Sequence, residues 1–437
     1  MNKMLYTKIP KEWMEGLPVG NGRLAAMVWG DEEKDTLSLN HEWLWRGKHR
    51  NREVIPASAH LNNLRDLLKK RSFFKASLLA NMYFAGDGGV SPIDNRVDPY
   101  QPAGDLYFQI SGNPEFVSRG LDIEKGIVSV IRRVDGGQIV STHLASCENE
   151  LLMSQLCSEK AFSCNISLSR IVDKEAVYKL SQTDNKLIFD CEFIGGISHR
   201  VVSEIKTDGQ ISTTDNKFFV ANASYVKCIT NIATSVFSRD EELAKYPVSF
   251  LDFEADIKKH SEKFSKMMNG VSLSITEEDG LSGLSIEERI ERVREGNRDN
   301  GISQLYFDFG RYLMISSSIC GSLPANLQGK WNDKLIPDWD SDYHFDINLE
   351  MNYWMAEPCD LSVCTEALLK YLESFYESGK KAAKELYGCR GIYLPLQTDA
   401  WGISTPESFG WAAWVGAAPW AAQSFWHHYI YTGDIEF

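Results

Sequence analysis

The sequence of 437 residues is poor in basic side chains: 46 Lys and Arg stand against 60 Asp and Glu, a net charge of −14. A deficit of that size, with a pI near 5.2, argues against a nucleic-acid binder and against docking on an anionic membrane. No window approaches the ~20 apolar residues that a membrane-spanning helix needs. Met1 to Pro10 has no apolar core and does not read as a signal peptide. The nine cysteines are scattered, odd in number and without a Cys-x-x-Cys pair, so neither a disulfide framework nor a zinc ribbon is signalled. The expectation is small buried thiols in a reducing, cytoplasmic setting, with secretion left open. Gly-x-Ser-x-Gly, Walker and dinucleotide-binding motifs are all missing, which removes the usual serine hydrolases and nucleotide enzymes. No solenoid-period repeat or low-complexity segment is visible.

What is present is ordinary globular material, 43% apolar and 24% charged. At roughly 100–200 residues per domain the length allows two to four domains. The first ~250 residues read as β. Gln138–Ala145 alternates apolar and polar, and Asp135-Gly136-Gly137 supplies hairpin chemistry against Gly126–Arg133. Lys186–Phe193, Lys217–Ala221 and Tyr225–Asn231 are further short β runs. Many short strands with frequent turns predict an antiparallel β-sandwich over 1–252. One helical interruption is expected at Ser58–Leu79, where Leu61, Leu64, Leu67 and Leu68 share a face. A helical linker over 253–299 follows, with helices at Phe253–Met268 and Ser285–Glu295. From residue 300 the chain is helical and aromatic-rich at Gln304–Ser318, Leu361–Gly388 and Trp411–Tyr431, the pattern of an α/α architecture with functional loops.

Two neighbouring stretches concentrate chemistry: Leu323–Asp333 and Pro337–Trp354. They mix Trp and Tyr with Asn, Asp and His, the combination that stacks on sugar rings and hydrogen-bonds hydroxyls. If Tyr343–Asn348 is extended, His344, Asp346 and Asn348 line one wall, with Phe345 and Ile347 buried behind. The alternative is that Asp346 or Asn348 caps a helix starting near Leu349. No third ligand stands at a recognisable spacing from His344 and Asp346, so no metal is expected, and no cofactor.

The segment Glu15–Val28 resembles the N-terminal signature of glycoside hydrolase family 95, the inverting α-L-fucosidases. Collinear matches follow at Leu44–Gly47, Tyr100–Leu106, Arg311–Ser318, Leu323–Asp333, Trp339–Trp354, Thr398–Gly402 and Tyr431–Asp434. The resemblance implies a β-sandwich, a helical linker and an (α/α)6 barrel over 300–437 whose loops hold the site. It also implies a hydrolase that removes a terminal α-L-fucosyl residue from a glycan with inversion. In the family, the motif at His344–Asn348 reads His-x-Asn-x-Asn; its histidine contacts the sugar and its asparagines position the attacking water. Two departures stand out. Asp346 replaces the first asparagine, and an ionised carboxylate can take a proton where an amide cannot, so Asp346 is expected as a general base beside Asn348, alone or sharing that work with a distant partner. Leu396-Gln397 stands where the family has His-Asn, which opens the sugar preference to α-L-galactosides or related L-sugars. The resemblance places Asp399 and Trp401 at the pocket, with Trp426 as a further stacking candidate beside His427-His428. Rival readings are a carbohydrate phosphorylase of similar architecture and a non-catalytic sugar-binding protein.

The family's general acid is a glutamate further along than any of these matches. The residues after Asn300 are too few to close a twelve-helix ring at ~10–14 residues per helix plus loops. The sequence-based expectation is a chain truncated within its barrel, inactive alone, with the acid beyond Phe437. The oligomeric state is not signalled.

Overall fold

The computed structural model describes residues 3–47, 54–85, 97–276, 280–281, 283–406 and 413–436. Trp411, the start of the last expected helix, lies outside the described residues. The chain divides into two compact units. The first comprises residues 1–44, 101–321 and 329–335; the second comprises 45–100, 322–328 and 336–437.

The first unit is built on one 14-stranded hydrogen-bonded sheet. Its strands are β1 Lys3–Tyr6, β2 Leu17–Gly20, β3 Leu24–Gly30, β4 Lys34–His41, β5 Gly104–Ile110, β6 Glu115–Asp122 and β7 Ile127–Val134. They continue as β8 Gly137–Ala145, β9 Leu152–Ser169, β10 Ala176–Gln182, β11 Lys186–Phe193, β12 Ser198–Thr207, β13 Gln210–Thr214 and β14 Lys217–Thr234. The main path runs β1-β6-β7-β8-β9-β14-β12-β11-β10, while β2-β3-β4-β5 joins it at β9. The N-terminal region is antiparallel β, as its alternation predicted. The strands form a single branched network, where two separate sheets were expected for a sandwich.

The branching has a local cause. Strand β9 pairs with β8 over Leu152–Ser158 and with β5 over Cys164–Ser169, so its two halves serve different neighbours. Opposite it, β14 is one continuous strand where the sequence suggested two. The glycine-free break at Asn222 (φ 54°) is absorbed by register shifts between Val220 and Tyr225. Such bulges bend and twist a strand, and here they let the sheet fold back until β2 and β3 lie over β7 and β8. Asp35 of β4 and Arg132 of β7 meet between the layers at 2.8 Å, both fully buried. The hairpin β7–β8 turns at Asp135-Gly136, both left-handed (φ 48° and 71°), as a two-residue type I′ loop requires.

The Gly20–Arg23 stretch is structural. Asn21 Oδ1 accepts the amides of Arg23 and Leu24, and its Nδ2 donates to the Ser146 carbonyl. A Cβ at Gly20 or Gly22 would collide with backbone at Ser316 or Gly321 (Gly22 also has φ 89°), where the helix Asn300–Ser318 ends. Arg23 reaches Glu242 at 3.3 Å, and His41 Nε2 reaches the same carboxylate at 2.8 Å. Burial would raise the Glu242 pKa, but His41, the Thr234 amide and Arg23 together hold it down at about 2.

Helix Phe253–Met268 packs Phe253 on a cluster of Leu144, Leu151, Met153 and Ile229. Helix Ile286–Arg294 starts on a capping box between Ser285 and Glu288. Ser285→Ala is expected to cost about 1 kcal/mol, because the hydroxyl accepts the Glu288 amide, while the reciprocal bond from the Ser285 amide to the Glu288 carboxylate remains. A urea midpoint unchanged by the substitution would contradict this.

In the second unit the expected Ser58–Leu79 helix is broken. Leu61–Lys69 and Phe73–Tyr83 flank Arg71, which is left-handed (φ 53°). These helices bury Leu64, Ala76, Ala80 and Phe84 against Ala382, Ala383 and Leu386 of the helix Tyr376–Tyr387. That helix and Ser362–Ser374 replace the single expected helix Leu361–Gly388, with the break at Phe375. The last helix is Ala417–Thr432, closed by left-handed Gly433. Six of the nine cysteines are buried and Cys389 is exposed. Among the described residues no helix is long and apolar enough to cross a membrane.

Candidate active site

The loop that carries His344 is entered through three consecutive left-handed residues, Trp339, Asp340 and Ser341 (φ 49°, 55° and 52°). Its shape is set by the segment Pro324–Gln328 of the same unit. Asn326 Oδ1 accepts the Ser341 hydroxyl at 3.1 Å, the Leu327 amide donates to the Asp342 carbonyl, and Tyr343 Oη donates to the Pro324 carbonyl. The polar density of that segment is therefore a brace for the loop.

A two-residue strand, β15 Tyr343–His344, then pairs with β16 Gln397–Thr398 and sets His344 opposite Gln397. Behind them Asp342 is fully buried. Its Oδ1 lies 2.9 Å from His344 Nε2, and its Oδ2 accepts Gln397 Nε2 at 2.6 Å. Burial pushes the Asp342 pKa up to about 7, against the pull of His344 and Gln397. Burial alone would lower His344, but its Asp342 contact and the charges of Asp342 and Asp346 outweigh this and raise it.

Beyond Phe345, which is fully buried, the extended pattern fails. Ile347 has φ 144° and ψ −29°, and Asn348 opens the helix Asn348–Tyr353. Ile347 is 38% exposed, so the expectation that it is buried is overturned. The reason is this backbone kink, which interrupts the two-residue alternation. Neither Asp346 nor Asn348 caps the helix, since no side-chain bond to the first turn is present. Asp346 is half-buried, Asn348 is exposed, and among the described residues neither has a hydrogen-bond partner. His344 and Asp346 are brought together electrostatically. A β-branched residue in such a conformation stores about 1–3 kcal/mol, and strain of this kind concentrates at functional sites. Ile347→Gly is expected to raise the urea-derived stability by about 1 kcal/mol while lowering turnover, because the neighbouring side chains lose their fixed direction. A loss of stability would contradict the strain.

The other expected site residues lie elsewhere in the unit. Asp399 is fully buried and spends its carboxylate on the Asp98 and Trp401 amides, at 3.1 and 3.0 Å. Its carbonyl accepts Tyr371 Oη. Trp401 is 37% exposed. Trp426 stands on the outer face of the last helix, 60% exposed, against Tyr429. His428 Nδ1 is bonded to Glu357 at 2.7 Å. Among the described residues no group of three or more His, Cys, Asp or Glu side chains is placed to hold a metal ion.

Sequence reasoning gave Asp342 no role, noted Gln397 only as a departure from the family pattern, and set Glu350 aside as too near the loop to be the acid. Asp342 stands two residues before His344, a same-face spacing in a strand that was a usable signal. Gln397 could not be placed without the fold. Glu350 is 4% exposed and neither of its carboxyl oxygens has a partner. It lines a cavity of about 150 Å³ with Trp354, Glu357, Thr365, His427 and Tyr431. Burial first, and the nearby charge of Asp346 second, push its pKa up to about 8.

Residues 252–437 match the model of the glycosyl hydrolase family 95 catalytic domain. The preceding residues 4–238 match the glycosyl hydrolase family 65 N-terminal domain. Alpha-L-fucosidase 2 of Arabidopsis thaliana is 26% identical over 100% of this chain and 56% of its own length. "Probable alpha-fucosidase A" of Aspergillus niger is 24% identical over 95% of this chain and 56% of its own. The chain is thus similar to glycoside hydrolase family 95 over its C-terminal residues 252–437.

The chain spans 56% of the length of the curated relatives it matches. A solved structure from human microbiome, named as a kojibiose phosphorylase, superimposes with a TM-score of 0.58. It shares 13% identity and covers 100% of this chain and 57% of its own, a likeness of fold alone.

Proposed function

We propose that this chain carries the sugar-contacting and water-activating part of a glycoside hydrolase that removes terminal α-L-fucosyl, or closely related L-sugar, residues from glycans with inversion. The antiparallel sheet and the helical C-terminal part support this reading as the β domain and part of the (α/α)6 barrel of such an enzyme. The observation that carries the reading is the His344–Asn348 loop: a strained kink presents the side chains of Asp346 and Asn348 without hydrogen-bond partners among the described residues, beside His344.

In this reading His344, fixed by Asp342, donates to a hydroxyl of the sugar. Asp346 takes the proton of the attacking water, and Asn348 holds that water. Asp399 shapes the pocket from behind through its backbone amide bonds, while Trp401 and Trp426 offer ring faces. No cofactor enters. An aliphatic Leu396 where relatives place a histidine favours an L-sugar that asks for one hydrogen bond fewer there. The test is release of nitrophenol from nitrophenyl α-L-fucoside and α-L-galactoside, with and without phosphate. In the full-length enzyme, turnover on one of them without phosphate is expected; turnover that requires phosphate, or none on either sugar, would overturn the reading.

A further inference from the structure

The exposed face of β3, β4 and β5 carries a cleft of about 340 Å³ that lies wholly within the first unit. The pairing register assembles it. Trp29, Thr36 and Tyr107 stand opposite one another across the three strands, and Ser38 and Asp105 form the next row. Alternate positions of the same strands, Leu37, Leu39, Leu106 and Phe108, are buried on the other face. Trp13 joins Trp29 at the rim, and both rest their rings on Ala25, Met27 and Trp331.

Two features mark this cleft as built for a ligand. The indole N–H groups of Trp13 and Trp29 are buried and have no partner, although buried donors are almost always satisfied. Asp105 is half-buried and accepts Tyr107 Oη at 3.2 Å, and the loss of solvent around it raises its pKa. Aromatic faces beside carboxylates and hydroxyls suit a ring that is apolar on its face and hydroxylated on its edge. The charge balance narrows the class. Asp31, Asp105 and Asp333 line the cleft, with Lys34 and Arg170 as the cations. Arg170 is already committed to Asp173, Gln101 and the Pro102 carbonyl. What remains is net acidic, which repels carboxylated sugars. The volume matches the smaller ligand pockets and admits one or two sugar rings.

We propose that this face of the β unit is a second glycan-binding site, separate in its residues from the His344 loop and specific for neutral sugars. It does not depend on the reading of that loop. The experiment is isothermal titration of the whole chain, as Asp346→Asn so that the probe survives, with 2′-fucosyllactose as the neutral probe and 3′-sialyllactose as the anionic one. Trp29→Ala and Asp333→Ala are each expected to weaken one binding event about tenfold or more, while Trp29→Phe retains it. Asp333 is only half-buried, so its variant reports on binding even if Trp29→Ala folds poorly. Neutral-probe binding untouched by Asp333→Ala and Trp29→Ala, no binding event assignable to this face, or equal binding of the anionic probe would each overturn the proposal. Because Asp346 is substituted throughout, a failure here leaves the hydrolase reading standing, and a failure of that reading leaves this one standing.

Discussion

In the full-length enzyme, Asp346→Asn is expected to lower kcat by about 10²–10⁴-fold with a small change in KM, the range over which a positioned general base contributes. The substitution keeps shape and restores the amide usual in family 95, so it isolates the ability to accept a proton. Three observations make the loss large. Asp346 has no protein hydrogen bond to share its charge among the described residues, it lies on a kink that fixes its direction, and its charge is felt at both His344 and Glu350. The measurement is steady-state kinetics on a nitrophenyl α-L-glycoside. Turnover within twofold of the parent would show that the work is done by an asparagine-held water alone.

Glu350→Gln is expected to stabilise the chain, increasingly so as pH rises. The folded-state pKa of Glu350 is raised from 4.5 to about 8, so the folded chain binds this proton more tightly than the unfolded one. Its stabilising contribution is fully present below pH 4.5 and is lost as pH rises towards 8. At 1.36 kcal/mol per pH unit the loss reaches about 3 kcal/mol at pH 7 and about 5 kcal/mol above pH 8. Glutamine has nothing to titrate. The stability difference between variant and parent should therefore grow by that amount between pH 4.5 and 8, whatever constant offset the buried amide brings. Urea unfolding across this range reads it directly; a pH-independent difference would mean that Glu350 finds a partner in solution.

Legibility in the sequence followed physical locality. The β7–β8 hairpin was visible because alternation and an Asp-Gly turn lie within twenty residues. Helix Phe253–Met268 and strand Lys186–Phe193 fell where composition placed them. Breaks decided by a single residue were not visible: Arg71 and Phe375 each split an apolar run that reads as one helix. The bulge at Asn222 did the reverse, joining two runs into one strand. At the site, the residue types of His344, Asp346 and Asn348 drew notice. Their spacing misled, because alternation assumes an extended chain and Ile347 does not follow it. The Asp342–Gln397 bond joins segments 55 residues apart and depends on two-residue strands that no periodicity can announce. Nor could composition foresee that the Asp399 carboxylate is spent on backbone amides.

The central claim is that Asp346 and Asn348 deliver a water to the face of the sugar opposite the leaving group. Proton NMR of the first sugar released from an α-L-fucoside or α-L-galactoside tests this most directly. The account predicts that the β anomer appears first and mutarotates later. First appearance of the α anomer would mean retention through a covalent intermediate, and would contradict it.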